Sequence, residues 1–295
     1  MKVAVLMTVH NRRDITLRCL DSLCNTLEPF RDRFQVSVFL TDDGCTDGTS
    51  EAIRERAFPL DIHLFQGDGS LYWNGGMINS WKTALSAGKW DGFLWLNDDV
   101  IVLPAFWEDL AGADAYSLET YGKKGIYVGS TQDIHTGEFT YGGFIYSSKF
   151  LLKDQFVRPD GTYQTCEAAH GNITYVSSEV VEKKGVFCEK YIHGGTDHEY
   201  TYLAHKAGFP VLVMPHYAAA CENDHPGKAK KNAEKTPKSW WKLFWSPWGY
   251  NMHNTLLFNW HCFPWRVPLV FIATLTKSLF PRLGYTIYRR LRGVK

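Results

Sequence analysis

The chain has 295 residues, with 32 Lys and Arg against 31 Asp and Glu. That length suits one large α/β domain or a domain with an appendage, and a net charge of +1 points to neither nucleic acid nor a strongly acidic partner. The seven cysteines are odd in number and scattered, without a Cys-x-x-Cys pair. This favours reduced thiols in a cytoplasmic protein over a disulfide framework or a zinc motif. The segment Met1 to Thr8 turns polar too soon for a secretory signal. No stretch reaches the ~18–20 apolar residues of a membrane span, and residues 267–275 come nearest.

In chain order, residues 3–9 form an apolar run that delivers His10, Asn11, Arg12 and Arg13 into a turn. Asp14 is placed to cap the following helix, whose apolar stripe is Ile15, Leu17, Leu20 and Leu23. A second strand over 36–40 ends at Thr41-Asp42-Asp43-Gly44, and a helix over 50–57 follows. A third short strand, 61–65, leads through Gly67-Asp68-Gly69-Ser70 to a helix that opens at Asn74-Gly75-Gly76 and runs to about Ala87. Residues 93–96, Phe-Leu-Trp-Leu, read as a buried fourth strand running into Asn97-Asp98-Asp99. Strand and helix alternate at βαβ spacing, so the expected core is a parallel sheet with helices on both faces.

From 127 to 147 the pattern changes to short glycine-punctuated runs, read as antiparallel strands. Residues 168–176 read as one more strand, 177–184 as a short helix, 199–207 as a helix capped by Thr196 or Asp197, and 211–213 as a last strand. Residues 222–238 are polar.

Two carboxylates at the end of a buried strand are costly unless something positive or hydrogen-bonding sits on them. In open α/β sheets the ligand crevice lies outside the carboxyl ends of the strands. Hard oxygen ligands there suit Mg²⁺ or Mn²⁺ held together with substrate phosphates. Asp42/Asp43, Asp98/Asp99 and Asp197 all stand at the ends of separate elements. Each alone is explained as a strand-exit turn or a helix cap; their joint occurrence points to a site. A dehydrogenase is disfavoured because no Gly-x-Gly-x-x-Gly follows the first strand.

Five segments in order carry a family resemblance: residues 5–12, 41–49, 74–79, 97–99 and 193–200, the last backed by 204–209. Together they resemble the family 2 glycosyltransferases of the GT-A fold, over roughly residues 2–224, with bacterial rhamnosyltransferase-type members of polysaccharide clusters the most similar in style. The resemblance implies a mostly parallel nucleotide-binding sheet flanked by helices, a smaller antiparallel part and a C-terminal helical appendage. Its expected division is a catalytic domain over 1–225 (nucleotide half 1–104, acceptor and base half 105–225), a polar linker over 226–238 and a basic aromatic appendage over 239–295.

Carried over by position, the resemblance implies that Thr8, His10 and Arg12 lie beside the nucleotide base and that Asp43 bonds its edge. Asn74, Gly75 and Asn79 line the nucleotide site, where a helix N-terminus favours pyrophosphate; Asn97 and Asp98 contact the donor, Asp98 near the ribose. Asp99 holds Mg²⁺ or Mn²⁺, Asp197 is the general base, and Asn172 lies where a sugar is contacted. Trp73 is placed to stack on a sugar or base, or to pack. The implied activity is inverting, metal-dependent transfer from a dTDP- or UDP-linked sugar to a glycan or lipid-linked glycan acceptor.

The sequence departs from that pattern in reading Asn97-Asp98-Asp99 rather than Asp-x-Asp, so Asp99 is expected to hold the metal through one carboxylate; a later histidine, His225 or alternatively His216, is a further candidate ligand. Asn97 leaves open a second class of function, an inactive nucleotide-sugar-binding or scaffold protein of the same fold. After Glu234 there is no acidic residue, while Trp240, Trp241, Trp245, Trp248, Trp260 and Trp265 accompany Lys238, Lys242, Arg266, Lys277, Arg282, Arg289, Arg290 and Arg292. Tryptophan and basic side chains without carboxylates suit an anionic membrane surface on the inner face of the cell membrane. The alternative is packing on the catalytic domain or on a second subunit.

Overall fold

The computed structural model describes residues 1–222, 244–246 and 251–280. The expected linker over 226–238 lies outside the described residues. The four strands β1 (Lys2–Val9), β2 (Gln35–Asp42), β3 (Asp61–Gln66) and β4 (Gly92–Leu96) pair in parallel in the order β3-β2-β1-β4. The helices α1 (Arg13–Leu27), α2 (Thr49–Arg56) and α3 (Tyr72–Ala87) make the crossovers. This is the parallel sheet with helical crossovers expected from the βαβ spacing.

Beyond β4 the sheet becomes mixed. β11 (Ile173–Ser177) runs antiparallel to β4 and to β6 (Ile126–Asp133), and β12 (Val211–Cys221) returns parallel to β6. The short strands β5 (Ile101–Val102) and β9 (Gln164–Thr165) pair antiparallel with β12. A separate antiparallel sheet holds β7 (Gly143–Ser148) between β8 (Lys153–Phe156) and β10 (Ala168–Ala169). The helices α4 (Ala105–Tyr121), α5 (Ser178–Lys184), α6 (Thr196–Lys206), α7 (Met252–Cys262) and α8 (Val267–Leu279) complete the described residues.

Alternation along the strands decides the layers. Val3, Val5 and Met7 of β1 and Leu94 and Leu96 of β4 face one core, with Leu20 and Leu23 of α1 and Phe106, Trp107 and Leu110 of α4. Ala4, Leu6, Phe93 and Trp95 face the other, with Met77, Ile78 and Trp81 of α3, Phe187 and Tyr200. A sheet buried on both faces reads as near-continuous apolar strands, as β1 and β4 do. Trp95 sits 5.6 Å from Trp81 and 4.5 Å from Phe187, ring centre to ring centre, an aromatic cluster under the strand that carries the two acids.

Several elements differ from the sequence reading, among them the last strand, which runs to Cys221 rather than Val213. The single strand expected over 168–176 is two, β10 and β11, in different sheets, with the bend at His170-Gly171-Asn172. No element was assigned to 105–121, where the structure has α4. The helix α7 packs on α6 and the small sheet: Cys262 and Phe263 join Phe144, Ala168 and Tyr202 in a third apolar cluster. No helix of the described residues is long and apolar enough to cross a membrane.

Candidate active site

Asp98 and Asp99 leave the end of β4, and Arg12, at the end of β1, reaches across to both. Its Nη1 lies 2.9 Å from Asp98 Oδ1 and its Nη2 lies 2.9 Å from Asp99 Oδ2. Asp98 is only 5% exposed. Burial pushes its carboxyl up to about 7; the Arg12 charge opposes this and the neighbouring Asp99 adds to it. Asp99 Oδ1 is buried without a hydrogen-bond partner. An orphaned carboxylate oxygen beside a second acid fits Mg²⁺ or Mn²⁺, which takes one or two carboxylates and draws its remaining oxygens from phosphates and water. Arg12 holds the other Asp99 oxygen, which leaves Oδ1 as the donor atom.

A cavity of about 280 Å³ opens above these acids, lined by Thr8, Val9, His10, Arg12, Asp43, Gly69, Tyr72, Trp73, Asp98 and His193. Asp43 organises one wall. Its Oδ1 accepts from the Gly69 and Leu71 N–H groups at 2.9 and 3.2 Å, and its Oδ2 from the Tyr72 N–H at 2.9 Å. The glycine loop is thereby folded onto the end of β2, and His10 Nδ1 lies 2.6 Å from the Asp43 carbonyl. Trp73, in the first turn of α3, donates through Nε1 to Asn97 Oδ1 at 2.8 Å. The Asn97 backbone N–H in turn donates to the Asn172 carbonyl at 2.9 Å.

Three of the residues expected at the nucleotide are committed elsewhere. Asn74 is fully buried and donates to the carbonyls of Cys188 and Tyr191 at 3.0 and 2.9 Å, tying that loop to α3. Asn79 donates to Thr41 Oγ1 at 3.1 Å. Gly75 packs on Leu71, where an added Cβ would lie 3.1 Å from the Leu71 Cβ. The neighbouring Gly76 lets α3 lie against β1, because a Cβ there would sit 2.0 Å from Thr8 Oγ1.

Asp197 lies in the first turn of α6, and Gly195 rather than Thr196 or Asp197 occupies the cap position. The carboxylate is used across the chain: Oδ2 accepts from the Gly171 N–H at 2.9 Å, and His198 Nε2 is 3.9 Å away. Gly171 is pinched between two site residues. A Cβ on it would lie 3.2 Å from the Asp197 Cβ and 3.2 Å from a ring carbon of Trp73. Asp197 is thus one glycine away from the wall of the first cavity.

A second cavity, of about 410 Å³, lies on the other side. Phe144, Tyr146, Leu152 and Asp154 of the small sheet, His193 to Gly195, His198, and Asn251, Asn254, Thr255, Phe258 and Asn259 line it. Asn254 and Asn251 of the C-terminal region hold the loop before α6, with Asn254 Nδ2 donating to the His193 carbonyl at 2.7 Å and Asn251 Nδ2 to the same carbonyl at 2.9 Å. His193 lines both cavities. Sequence reasoning placed it in a loop without a role; its signal was its position in the run His193-Gly194-Gly195-Thr196-Asp197. Of the two histidines considered for metal, His216 is set against Asp109 of α4, Nδ1 to Oδ1 at 3.0 Å, and His225 lies outside the described residues.

Among solved structures, the chain is similar to the mannosyltransferase PcManGT from Pyrobaculum calidifontis in complex with GDP-Man and Mn²⁺, at 14% identity and a TM-score of 0.53 over 99% of this chain and 80% of that one. It is similar to S. aureus TarS 1-349 in complex with UDP at 12% identity and a TM-score of 0.57, covering 98% of this chain and 92% of the other. For GalNAc-T7 with UDP, GalNAc and Mn²⁺ the values are 14% and 0.58, over 77% of this chain and 45% of that one. At such identities the likeness is one of fold, the GT-A fold. No curated protein matches the chain in sequence. The model of the family described as glycosyl transferase family 2 matches residues 4–169, more than half of the chain. The chain belongs to glycosyl transferase family 2.

Proposed function

We propose that the protein is an inverting, metal-dependent glycosyltransferase that moves a hexosyl or deoxyhexosyl group from a dTDP- or UDP-linked sugar to a saccharide or lipid-linked saccharide, in bacterial surface polysaccharide synthesis. The observation that carries this reading is that Asp197 sits against Gly171, which packs on Trp73 of the smaller cavity, and is followed by His198 of the larger one, while His193 lines both. The donor occupies the smaller cavity. Thr8, His10, Arg12 and Asp43 surround its base, with Asp43 also fixing the loop that closes over it. Asp98 contacts the ribose, Trp73 packs on the sugar and Asn172, through its contact with Asn97, shapes the floor. Asn74, Gly75 and Asn79 support the wall from behind.

Asp99 is the proposed metal ligand, with His225 the candidate second one. When bound there, Mg²⁺ or Mn²⁺ supplies positive charge that stabilises the diphosphate leaving group. Arg12 lies across both acids and adds a fixed charge at the same place. The acceptor hydroxyl comes from the larger cavity, where Phe144, Tyr146 and Phe258 offer apolar faces for a sugar ring. Asp197 takes its proton as the oxygen attacks the anomeric carbon and the bond to the diphosphate breaks, a single in-line displacement.

The Arg12 ion pairs also favour a second reading, in which a fixed guanidinium has taken over from the metal and the fold binds a nucleotide sugar without turning it over. Substituting Asp197→Asn separates the two. In the catalytic reading it abolishes transfer while donor binding survives; full transfer by this variant would remove Asp197 as base.

We further infer that the C-terminal region contacts an anionic membrane surface from the cytoplasmic side. Trp260, Trp265 and Ile272 are 65, 53 and 61% exposed, and Phe150 and Leu151 are exposed in the turn between β7 and β8. The Trp265 and Phe150 rings stack at 6.0 Å, so the turn and the C-terminal region form one apolar face. Oligomerisation through this face is the other outcome, distinguished by sedimentation with and without lipid.

A further inference from the structure

We propose a second metal site, separate from the strand-end acids, in which Cys188, Glu199 and His261 bind Zn²⁺. One ligand atom from each of these residues lies within 4.8 Å of the others. They come from three segments that the fold brings together: the loop after α5, the first turns of α6, and α7. Spacing in the sequence gives no hint of this, since Glu199 and His261 are 62 residues apart.

The second observation is the state of Glu199. It is 5% exposed. Its Oε1 meets His261 Nδ1, but its Oε2 is buried without a hydrogen-bond partner, and so is the nearby Tyr191 hydroxyl. An orphaned, buried carboxylate oxygen is costly. The His–Glu hydrogen bond leaves Oε2 unpaired; the Tyr191 hydroxyl beside Glu199 or a cation would each satisfy it, and only a cation also engages the Cys188 thiol. The loop that carries Cys188 is already fixed, because the buried Asn74 amide holds both the Cys188 and Tyr191 carbonyls.

The donor set decides the metal. Thiolate, imidazole and carboxylate together suit Zn²⁺ at tetrahedral geometry, with the fourth position left to water or the Tyr191 hydroxyl. Mg²⁺ prefers oxygen alone, so the two sites select different ions. Binding displaces the Cys188 thiol proton. The ion would join α7 to α6 two residues beyond Asp197, holding the C-terminal helix that walls the larger cavity.

The test uses Co²⁺ as the probe on the full-length chain after chelator treatment. One equivalent is expected to give a thiolate-to-cobalt charge-transfer band, which added Zn²⁺ abolishes. Asp99→Asn is expected to keep the band, which separates this site from the proposed donor metal. Cys188→Ser is expected to lose it with an unchanged circular dichroism spectrum, and His261→Ala to weaken Co²⁺ binding by at least about 100-fold. Absence of a thiolate band in the folded wild type, or its survival in Cys188→Ser, would overturn the proposal.

Discussion

Asp197 makes both of its side-chain contacts through Oδ2, to the Gly171 N–H and toward His198, which leaves Oδ1 open for the proposed role as base. Asp197→Asn keeps the shape and a carbonyl oxygen for Gly171 but removes the proposed base. Its transfer rate is expected to fall by at least ~10²–10⁴-fold, with donor affinity from isothermal titration within about threefold of wild type. Trp73 tests the donor side. Trp73→Phe keeps the ring but loses the bond to Asn97, a change of about 0.5–1.5 kcal/mol, so donor binding is expected to weaken about 2- to 10-fold. At this scale the sequence was informative about which residue types gather but not about what each one holds. Thr8, His10, Arg12, Asp43, Trp73 and Asp98 do line one cavity. Asn74 instead serves a distant loop and Asp43 saturates three backbone N–H groups. Such bonds join segments far apart in the chain, and no local spacing records them.

At the scale of elements, α3 depends on Gly76. Ala at this position drives a Cβ to within 2.0 Å of Thr8 Oγ1, so Gly76→Ala is expected to cost about 1–3 kcal/mol of stability in urea unfolding. An unchanged midpoint would show that α3 and β1 slide apart freely. The strands β1, β2 and β4 were legible because runs buried on both faces stay mostly apolar. Residues 168–176 were read through as one strand although His170-Gly171-Asn172 breaks the apolar run; the hand-over from β10 to β11 places the change of sheet at that turn. The helix α4 carried a readable signal, Phe106, Leu110, Ala113 and Ser117 at helical spacing and all buried, but it follows a proline and a two-residue strand that interrupt the pattern. Arg266 reverses an expectation: counted with the basic surface, it is buried and donates to Asn259 Oδ1 at 2.6 Å and the Phe150 carbonyl at 3.0 Å.

For the whole molecule, the described part of the C-terminal region packs on α6 and the small sheet and holds the loop before α6. Deleting it after Thr236 would remove Asn251 and Asn254 from the loop before α6 along with any membrane contact, so point changes give the cleaner test. Trp265→Ser with Ile272→Ser alters only exposed side chains. The pair is expected to release the protein from anionic liposomes in co-sedimentation while its melting temperature stays within a few degrees; equal binding would end the membrane reading. In the proposed reaction a nucleotide sugar and a divalent ion bind together over Asp99. Thermal unfolding of the wild type and of Asp99→Asn with dTDP-, UDP- and GDP-linked sugars, each with and without Mn²⁺, tests it most directly. At least one donor should raise wild-type stability by about 2.7 kcal/mol at a hundred times its Kd, only when Mn²⁺ is present, and Asp99→Asn should lose that response. No stabilisation by any donor with Mn²⁺, or an equal response in Asp99→Asn, would contradict it.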